Sequence, residues 1–374
     1  MEGTQLTPTL LAEDGVVIRK VRRLPVPGNI SVKKGDRVGS RDMIGSAELP
    51  GELRIVRVPE TLGIEVDEAL TGFRNCGIEE GVQVEYGAKI CEYPVFFGLL
   101  KATCYSPAAG TVEFISKKNA HIGIRMKSTP LVLSSYIAGE VVEVEKGHSA
   151  VIEGRGAIVQ GIFGVGGERT GKLELLDVGC ESLVTESDIP SMAEGKILVG
   201  GMCPTVDAIK KAAKSGAVGL VTGSILSEVL SCYLGYDLGA AITGDEDIPL
   251  TLIITEGFGE LAISESAYSI LSRYAGHLAS INGATQVRAG AIRPEVLITE
   301  GIEVSLCLEK TIATYSVGKR VRIIRYPYFG RYGVIEEMPE EPEAIATGAK
   351  VRVFRLRLDT GELITVPRVN VELA

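Results

Sequence analysis

The chain has 374 residues, of which 45 % are hydrophobic and 23 % are charged, and its mean hydropathy is +0.21. This apolar fraction excludes a disordered chain, and the lack of a Gly-X-Y period in the sequence excludes a collagen. The net charge of −9 argues against a nucleic-acid-binding or membrane-binding surface that extends over the whole chain.

The glycine content indicates the kind of fold, and the cysteines indicate the cellular compartment. Forty-five residues are glycine and only 5 % are aromatic, so short strands joined by tight turns are expected. The seven cysteines include no CxxC pair, which predicts reduced thiols rather than a metal ribbon or a disulfide framework. The first residues lack the basic and apolar segments of a signal peptide. We therefore predict a soluble, cytoplasmic protein without membrane insertion, with two or three domains of roughly 100–200 residues each.

From residue 16 to about residue 176, short apolar strands alternate with glycine turns. The segment VPGNISVKKGDRVGSRDMIG places a turn at Gly35, and GIEEGVQVEYGAKICEYP places a similar turn at Gly87. A third element, a small residue followed by Gly-x-Val, occurs around Gly110 and around Gly139. Such strands, at roughly 8–12-residue spacing, are typical of a small sandwich or barrel. The repeats predict two related halves that interlock.

Two strings in this region carry a family resemblance. LPVPGNISVKKGDRV, followed later by SPAAGTVEFI, resembles the barrel-sandwich hybrid fold of biotinyl and lipoyl carrier domains, in the version found in the RnfC and NqrA subunits of respiratory complexes. We assign residues 15–180 to this first domain. In carrier domains a lysine on an exposed hairpin carries the prosthetic group, and Lys127 after Met126 has nearly that spacing. Ser128 stands where the carrier signature has a second methionine, so we interpret Lys127 as a solvated lysine.

The string GGERTGKL has the G-x-x-x-x-G-K frame of a phosphate-binding P-loop. Leu173 replaces the hydroxyl residue that would bind magnesium, and the residues after it alternate like a strand instead of starting a helix. We interpret the segment as a flexible glycine-rich loop at the edge of the first domain. An alternative is that the loop binds an anion or a partner through Gly166, Gly167, Arg169, Gly171 and Lys172.

The middle third changes to a pattern of alternating strands and helices. GKILVGG, AVGLVTG and IPLTLIITEG are typical of strands, whereas PTVDAIKKAAKSG, SILSEVLSCYLG and GELAISESAYSILSRYAG are typical of helices. This alternation predicts a parallel sheet in a small three-layer α/β domain at residues 190–300. Cys203 precedes Pro204 at a helix start, where a thiol could act as a nucleophile. The alternative is a small residue packed at a strand–helix junction.

The C-terminal segment returns to strands and has a regular glycine and aliphatic pattern, Gly318-x-x-Val321-x-Ile323-Ile324 followed by Gly330-x-x-Gly333-x-Ile335. This pattern resembles a KOW motif on an SH3-like barrel, a family found in ribosomal proteins and NusG-type transcription factors. The resemblance covers residues 316–374 and implies an RNA or protein partner. Five acidic residues between Glu336 and Glu343 lie beside the motif and count against RNA.

Cations and aromatic residues are interleaved in this last segment, as Lys319, Arg320, Arg322, Arg325 and Arg331 with Tyr326, Tyr328, Phe329 and Tyr332. The cations could neutralise phosphates while the aromatic rings stack on unpaired bases. Strand alternation predicts that Arg320 and Arg322 share one face. Three interpretations stay open, namely a nucleic-acid site, a protein-binding site and a solvated structural face.

No complete catalytic set, metal-ligand set or cofactor motif stands out in the sequence, so we predict no catalytic residue, no metal ion and no cofactor. The fold class that we predict is multidomain and mostly β with an α/β middle. The predicted function is that of a non-catalytic cytosolic adaptor or scaffold, which binds RNA, a ribonucleoprotein or a protein assembly through its KOW-type barrel. The alternatives are an accessory subunit of a redox or carrier-type enzyme complex, and a structural protein that assembles with copies of itself.

Overall fold

A computed structural model describes residues 3–4, 10–95, 100–236, 248–285, 292–301, 314–325, 327–345 and 348–373. Strands account for 46 % and helices for 14 % of the structure, which confirms a mostly-β fold. None of the helices within these ranges is long and apolar enough to cross a membrane.

The strand β1 (Gly3–Thr4) pairs with the distant residues Thr314–Tyr315. The strands that follow it belong to an N-terminal β unit that the chain completes only after residue 128. They are β2 (Ala12–Arg23), β3 (Asn29–Ile30), β4 (Arg37–Val38) and β5 (Met43–Leu49). Along β2, Ile18 is buried whereas Val17 and Val21 are exposed, as the period of a strand requires. Gly35 has a φ of +93° between β3 and β4, a conformation that strains other residues. The glycine turn predicted there is confirmed.

Residues 53–125 form an insertion with its own hydrophobic core. Its elements are β6 (Leu53–Arg57), α1 (Val58–Leu62), α2 (Val66–Asn75), β7 (Gln83–Val84), β8 (Lys89–Val95), β9 (Leu100–Tyr105), β10 (Gly110–Ile115) and β11 (His121–Arg125). Helix α2 starts with a capping box between Glu65 and Glu68 and buries Phe73. A Cβ at Gly72 would lie 2.3 Å from Sγ of Cys91, so only glycine fits there. Strands and turns alone were expected in this region, and the two short helices correct that expectation.

The chain then returns to the N-terminal β unit through β12 (Thr129–Ser134), β13 (Gly139–Glu145) and β14 (Ser149–Gln160). Strand β12 pairs with β5, and β14 pairs with β2. The inward side chains, among them Ile44, Ile137 and Ile152, share one core. The two repeated sequence segments therefore lie in different units, the first in the N-terminal β unit and the second in the insertion.

The middle region has parallel strands with helices on both faces. Its elements are β15 (Phe163–Val165), β16 (Glu168–Leu175), β17 (Leu183–Val184), a 3₁₀ helix (Glu186–Asp188), β18 (Lys196–Val199), β19 (Cys203–Pro204), α3 (Val206–Lys214), β20 (Gly219–Ile225), α4 (Ser227–Leu234), β21 (Thr251–Phe258), α5 (Glu265–Arg273), β22 (Leu278–Asn282) and β23 (Glu295–Ile298). Strands β16, β18, β20 and β21 are parallel neighbours. Helices α3 and α4 pack on one face of the sheet, and α5 packs on the other.

One sheet joins the middle region to the N-terminal β unit. The described residues build 11 strands in the order β15-β21-β20-β18-β16-β22-β23-β14-β13-β4, with β2 paired to β14. The predicted boundary between domains 15–180 and 190–300 does not coincide with a boundary between sheets, because β15 and β16 belong to the middle sheet and β23 pairs with β14. Glycine at position 156 permits this pairing, since a Cβ on Gly156 would lie 1.9 Å from the carbonyl oxygen of Ile298.

A separate C-terminal β unit follows residue 313. Its elements are β24 (Thr314–Tyr315), β25 (Arg320–Ile323), β26 (Tyr332–Glu337), β27 (Glu343–Ala344), β28 (Lys350–Val351), β29 (Val353–Leu358), β30 (Leu363–Pro367), a 3₁₀ helix (Arg368–Asn370) and β31 (Val371–Leu373). Five of these strands form a sheet in the order β30-β29-β26-β25-β31. Phe354 and Leu356 are central to its core, and Oη of Tyr315 donates a 2.7 Å hydrogen bond to the carbonyl of Val371.

Candidate functional site

The candidate site is a cleft between the middle sheet and the C-terminal β unit. One wall comes from the segments that follow the parallel strands β16, β18 and β21, together with α5. The other wall comes from β25, the segment 329–332 and Asp359. The cleft has a volume of about 830 Å³, which lies within the range of roughly 300–1,000 Å³ that is usual for ligand sites. Open α/β sheets commonly bind ligands beyond the carboxyl ends of their strands.

Arg322 connects the two walls at the base of the cleft. Its side chain is only 8 % exposed, and its guanidinium pairs with Glu256 of β21 and, at 3.2 Å, with Glu372 of β31. The ring of Phe329 lies 5.7 Å from the guanidinium carbon. Burial raises the pKa of Glu372, and the positive charge of Arg322 reduces this rise. Arg322 therefore holds the C-terminal β unit against the middle sheet.

Arg320 makes a second contact between the walls. Its two terminal nitrogens pair with Glu265 of α5 at 2.9 Å and with Asp359 at 2.8 Å. Its guanidinium also lies 4.8 Å from the ring centre of Tyr332. Oη of Tyr332 accepts a 3.1 Å hydrogen bond from the backbone N–H of Glu265 at the start of α5. Both arginines line the cleft, so the shared face predicted from strand alternation is confirmed.

The nine residues predicted to bind RNA or a partner do not form one open face. The wall of the cleft holds Arg320, Arg322, Phe329, Arg331 and Tyr332. Tyr328 packs against the core of the C-terminal β unit. Lys319 and Arg325 are exposed and form no ion pair with any described residue, and Tyr326 lies outside the described residues.

The sequence analysis predicted none of the four carboxylates of the cleft, of which Glu265 and Asp359 pair with Arg320. Glu181 follows β16 and Glu260 follows β21, and both are exposed in the wall of the cleft. Neither forms an ion pair within the part of the chain that the structure describes. No local sequence signal marks them, because they meet only through the parallel order of their strands.

The glycine-rich segment is not a loop. Gly166, with a φ of +88°, precedes β16, whereas Arg169, Gly171 and Lys172 lie within that strand and Gly167 lies directly before it. Nε of Arg169 donates a 3.0 Å hydrogen bond to Oγ1 of Thr251. A Cβ on Gly171 would lie 2.6 Å from the carbonyl oxygen of Gly195. These contacts give the glycine and the arginine roles in strand packing, so the expected flexible loop is corrected.

The other candidate groups lie apart from the cleft or in unsuitable surroundings. Cys203 is buried, and burial raises the pKa of its thiol, whereas a nucleophilic thiol needs a lowered pKa. Lys127 is exposed in the connection between β11 and β12 and not at the tip of a hairpin. Among the described residues, no group of three or more His, Cys, Asp or Glu side chains is placed to hold a metal ion.

No protein-family model matches this chain, and no curated protein sequence matches it.

Proposed function

We propose that the chain is a non-catalytic adaptor that binds a protein partner in the cleft. The observation that carries this proposal is the charge of the cleft wall. Three arginines line it together with four carboxylates, and Arg322 is also paired with Glu256 and Glu372 behind the wall. The remaining negative charge disfavours the phosphates of RNA and favours a polypeptide.

The resemblance of residues 316–374 to KOW-motif SH3-like barrels supports a binding role, because that family binds RNA or proteins. The ion pairs that Arg320 and Arg322 form with carboxylates favour a protein over RNA as the partner. For its terminal nitrogens to contact a phosphate, each arginine would have to give up a carboxylate partner. We extend the proposal to the N-terminal β unit, whose likeness to barrel-sandwich hybrid domains gives it the role of a scaffold.

The test is capture of partners from a nuclease-treated lysate by the full chain and two tryptophan variants. Ser269 is exposed on α5 and lines the cleft, so Ser269→Trp obstructs it. Ser266, exposed on the same helix, does not line the cleft, and Ser266→Trp is the matched control. We expect Ser269→Trp to lose proteins that the wild type and Ser266→Trp both retain. The proposal would be contradicted if Ser269→Trp captured the same proteins as the wild type. It would also be contradicted if proteins captured from an untreated lysate were lost after nuclease treatment.

RNA binding is a second candidate function, favoured by unpaired cations at another part of the C-terminal β unit. These cations are Arg325, Arg352 and Arg368, which lie at one end of the unit. The backbone N–H of Arg368 donates a 3.0 Å hydrogen bond to the carbonyl of Arg352. The backbone N–H of Ile324, next to Arg325, donates a 2.8 Å hydrogen bond to the carbonyl of Asn370, two residues from Arg368. Burial and the charge of Arg352 lower the pKa of Arg368. These three arginines form no ion pair within the described residues.

Fluorescence anisotropy with labelled cellular RNA across a salt series separates this second candidate from the first. Binding that falls steeply with salt, and that Arg325→Glu/Arg352→Glu abolishes, would support RNA recognition by this end of the unit. No binding at about 50 mM salt would remove RNA as a ligand. Arg322→Ala is unsuitable as a probe because Arg322 is buried.

A further inference from the structure

Two free thiols face each other in the core of the insertion. Cys91 of β8 and Cys104 of β9 are directly opposite each other in the antiparallel pairing of these strands. The register shifts by one residue between Lys89 and Cys91, and without this β-bulge Cys104 would oppose Ile90. Bulges re-aim side chains at defined positions of a strand pair. The bulge therefore brings the two cysteines together.

The spacing of opposite positions suits a disulfide bond. Directly opposite residues of antiparallel strands have Cα atoms about 4.5–5.5 Å apart, and disulfides span Cα distances of roughly 4.4–6.8 Å. Both side chains belong to the one core that β8 and β9 share with α1 and α2. Sγ of Cys91 donates a weak 3.7 Å hydrogen bond to the carbonyl of Ala69, and that of Cys104 donates a weak 3.9 Å hydrogen bond to the carbonyl of Tyr105. A disulfide here needs rotation of these side chains and no movement of the backbone.

The thiols are unreactive while the ribbon of β8 and β9 is closed. Burial raises the pKa of Cys91 to about 12, and the charges of Cys76 and Cys104 add to the rise. Burial also raises the pKa of Cys104. Since the thiolate is the reactive form, oxidation requires the ribbon to open. Within the described residues β8 and β9 form a separate two-stranded sheet, and such hairpins are only marginally stable by themselves. Local opening of the ribbon therefore controls the access of an oxidant.

We infer that Cys91 and Cys104 are a redox-sensitive pair, which a low-molecular-weight disulfide oxidises to a cross-strand disulfide bond. Cys104 is the less buried of the two, at 5 % exposed, and its thiolate attacks one sulfur of the oxidant and releases the first thiolate. The thiolate of Cys91 then attacks the sulfur of Cys104 in the mixed disulfide and releases the second thiolate. In total the two protein thiols lose two electrons and two protons, and the oxidant becomes two thiols. The bond fixes β8 to β9 and makes the insertion more rigid in an oxidising environment.

The test uses the full chain and oxidised glutathione as the disulfide. After alkylation of the remaining thiols, we expect peptide mapping to find the peptides of Cys91 and Cys104 joined, with the loss of two hydrogen atoms. Excess dithiothreitol should reverse the link. Amide hydrogen exchange through local opening of β8 and β9 should slow by about a hundredfold in the oxidised chain, because the bond constrains the open ribbon. Free thiols or glutathione adducts at both positions would overturn the inference, and so would unchanged exchange in the linked chain.

Single variants distinguish this pair from a neighbouring one. Cys76, at the end of α2, is close enough for its charge to affect the pKa of Cys91. Cys76→Ala should keep the link, whereas Cys104→Ala should lose it. The reverse result would mean that Cys91 pairs with Cys76, and the inference would fail. Urea unfolding of the reduced variants checks that both fold, and the peptide map of the wild type tests the pair without any substitution.

Discussion

The middle sheet has two junctions that are built in different ways. At the N-terminal junction, β14 and β23 exchange backbone hydrogen bonds, so the middle sheet and the N-terminal β unit are one sheet. At the C-terminal junction, the β unit meets the cleft wall through side chains, chiefly Arg320 and Arg322. The first junction is secured by backbone pairing over four residues, whereas the second depends on a few charges. We expect the second to be the more vulnerable to mutation.

Ion pairs also occur at the N-terminal junction, where they supplement the sheet. Nζ of Lys20 lies 2.6 Å from both oxygens of Glu295, and Arg22 forms a bidentate pair with Glu168 at 2.6 Å. Tyr136 lies between the pairs, buried, with its ring 5.1 Å from the guanidinium of Arg22. Its φ of +68° is strained for a tyrosine, a strain that the surrounding contacts must offset.

The largest effect is expected from Arg322→Ala. This change leaves Glu256 buried without its cation, which costs about 3–5 kcal/mol. We expect a lower free energy of unfolding in urea and faster proteolysis at the C-terminal β unit. The exposed, unpaired Arg325 supplies the control, since Arg325→Ala should stay within about 0.5 kcal/mol of the wild type. Equal effects of the two variants would refute a structural role for Arg322.

Gly156→Ala tests whether the N-terminal junction depends on backbone approach. The added Cβ would lie 1.9 Å from the carbonyl oxygen of Ile298 and must displace β23. Overpacking of this kind costs about 1–3 kcal/mol, measured by urea unfolding. Gly179→Ala is the matched control, because its Cβ would meet only the hydroxyl of Ser182 at 3.3 Å. A neutral Gly156→Ala would show that the sheet adapts at this point.

Tyr136→Phe has a smaller expected effect at the same junction. Oη of Tyr136 donates to Oε1 of Glu295 at 3.3 Å, and loss of this bond costs about 1 kcal/mol. Equilibrium unfolding should detect the loss, while Tyr86→Phe at a position 78 % exposed should show none. If Tyr136→Phe raised the free energy of unfolding, the buried hydroxyl would be destabilising and its bond to Glu295 would not offset the cost of burying it.

The smallest effect concerns pH at the C-terminal junction. Burial raises the pKa of Glu372 above its usual 4.5. The stability linked to its protonation is complete below pH 4.5 and is lost as pH rises through the raised value. Glu372→Gln, which still accepts from Arg322, should flatten this part of the profile of unfolding free energy against pH. Glu340 is exposed, so Glu340→Gln is the control and should keep the wild-type slope. A wild-type slope in Glu372→Gln as well would show that the pKa of Glu372 is not raised.

Local patterns predicted much of the fold. The βαβ alternation predicted the parallel strands and helices α3, α4 and α5. The glycine at position 35 predicted a turn, and the structure has a positive φ there. Helix α2 was missed because its ten residues lie among strands and its single apolar face is short. The glycine-rich segment was misread because Gly171 serves close packing against residue 195, which sequence periodicity does not reveal.

The sequence by itself determined that Arg320 and Arg322 share a face, because side chains two apart on a strand point the same way. Only the tertiary structure decided what that face meets. The crossovers of the middle sheet bring Glu256 and Glu265 to the C-terminal β unit, and they bring Glu181 and Glu260 to the same cleft from separate segments. A strand period is a local property of the backbone, whereas the charge facing it depends on contacts between residues more than 50 positions apart.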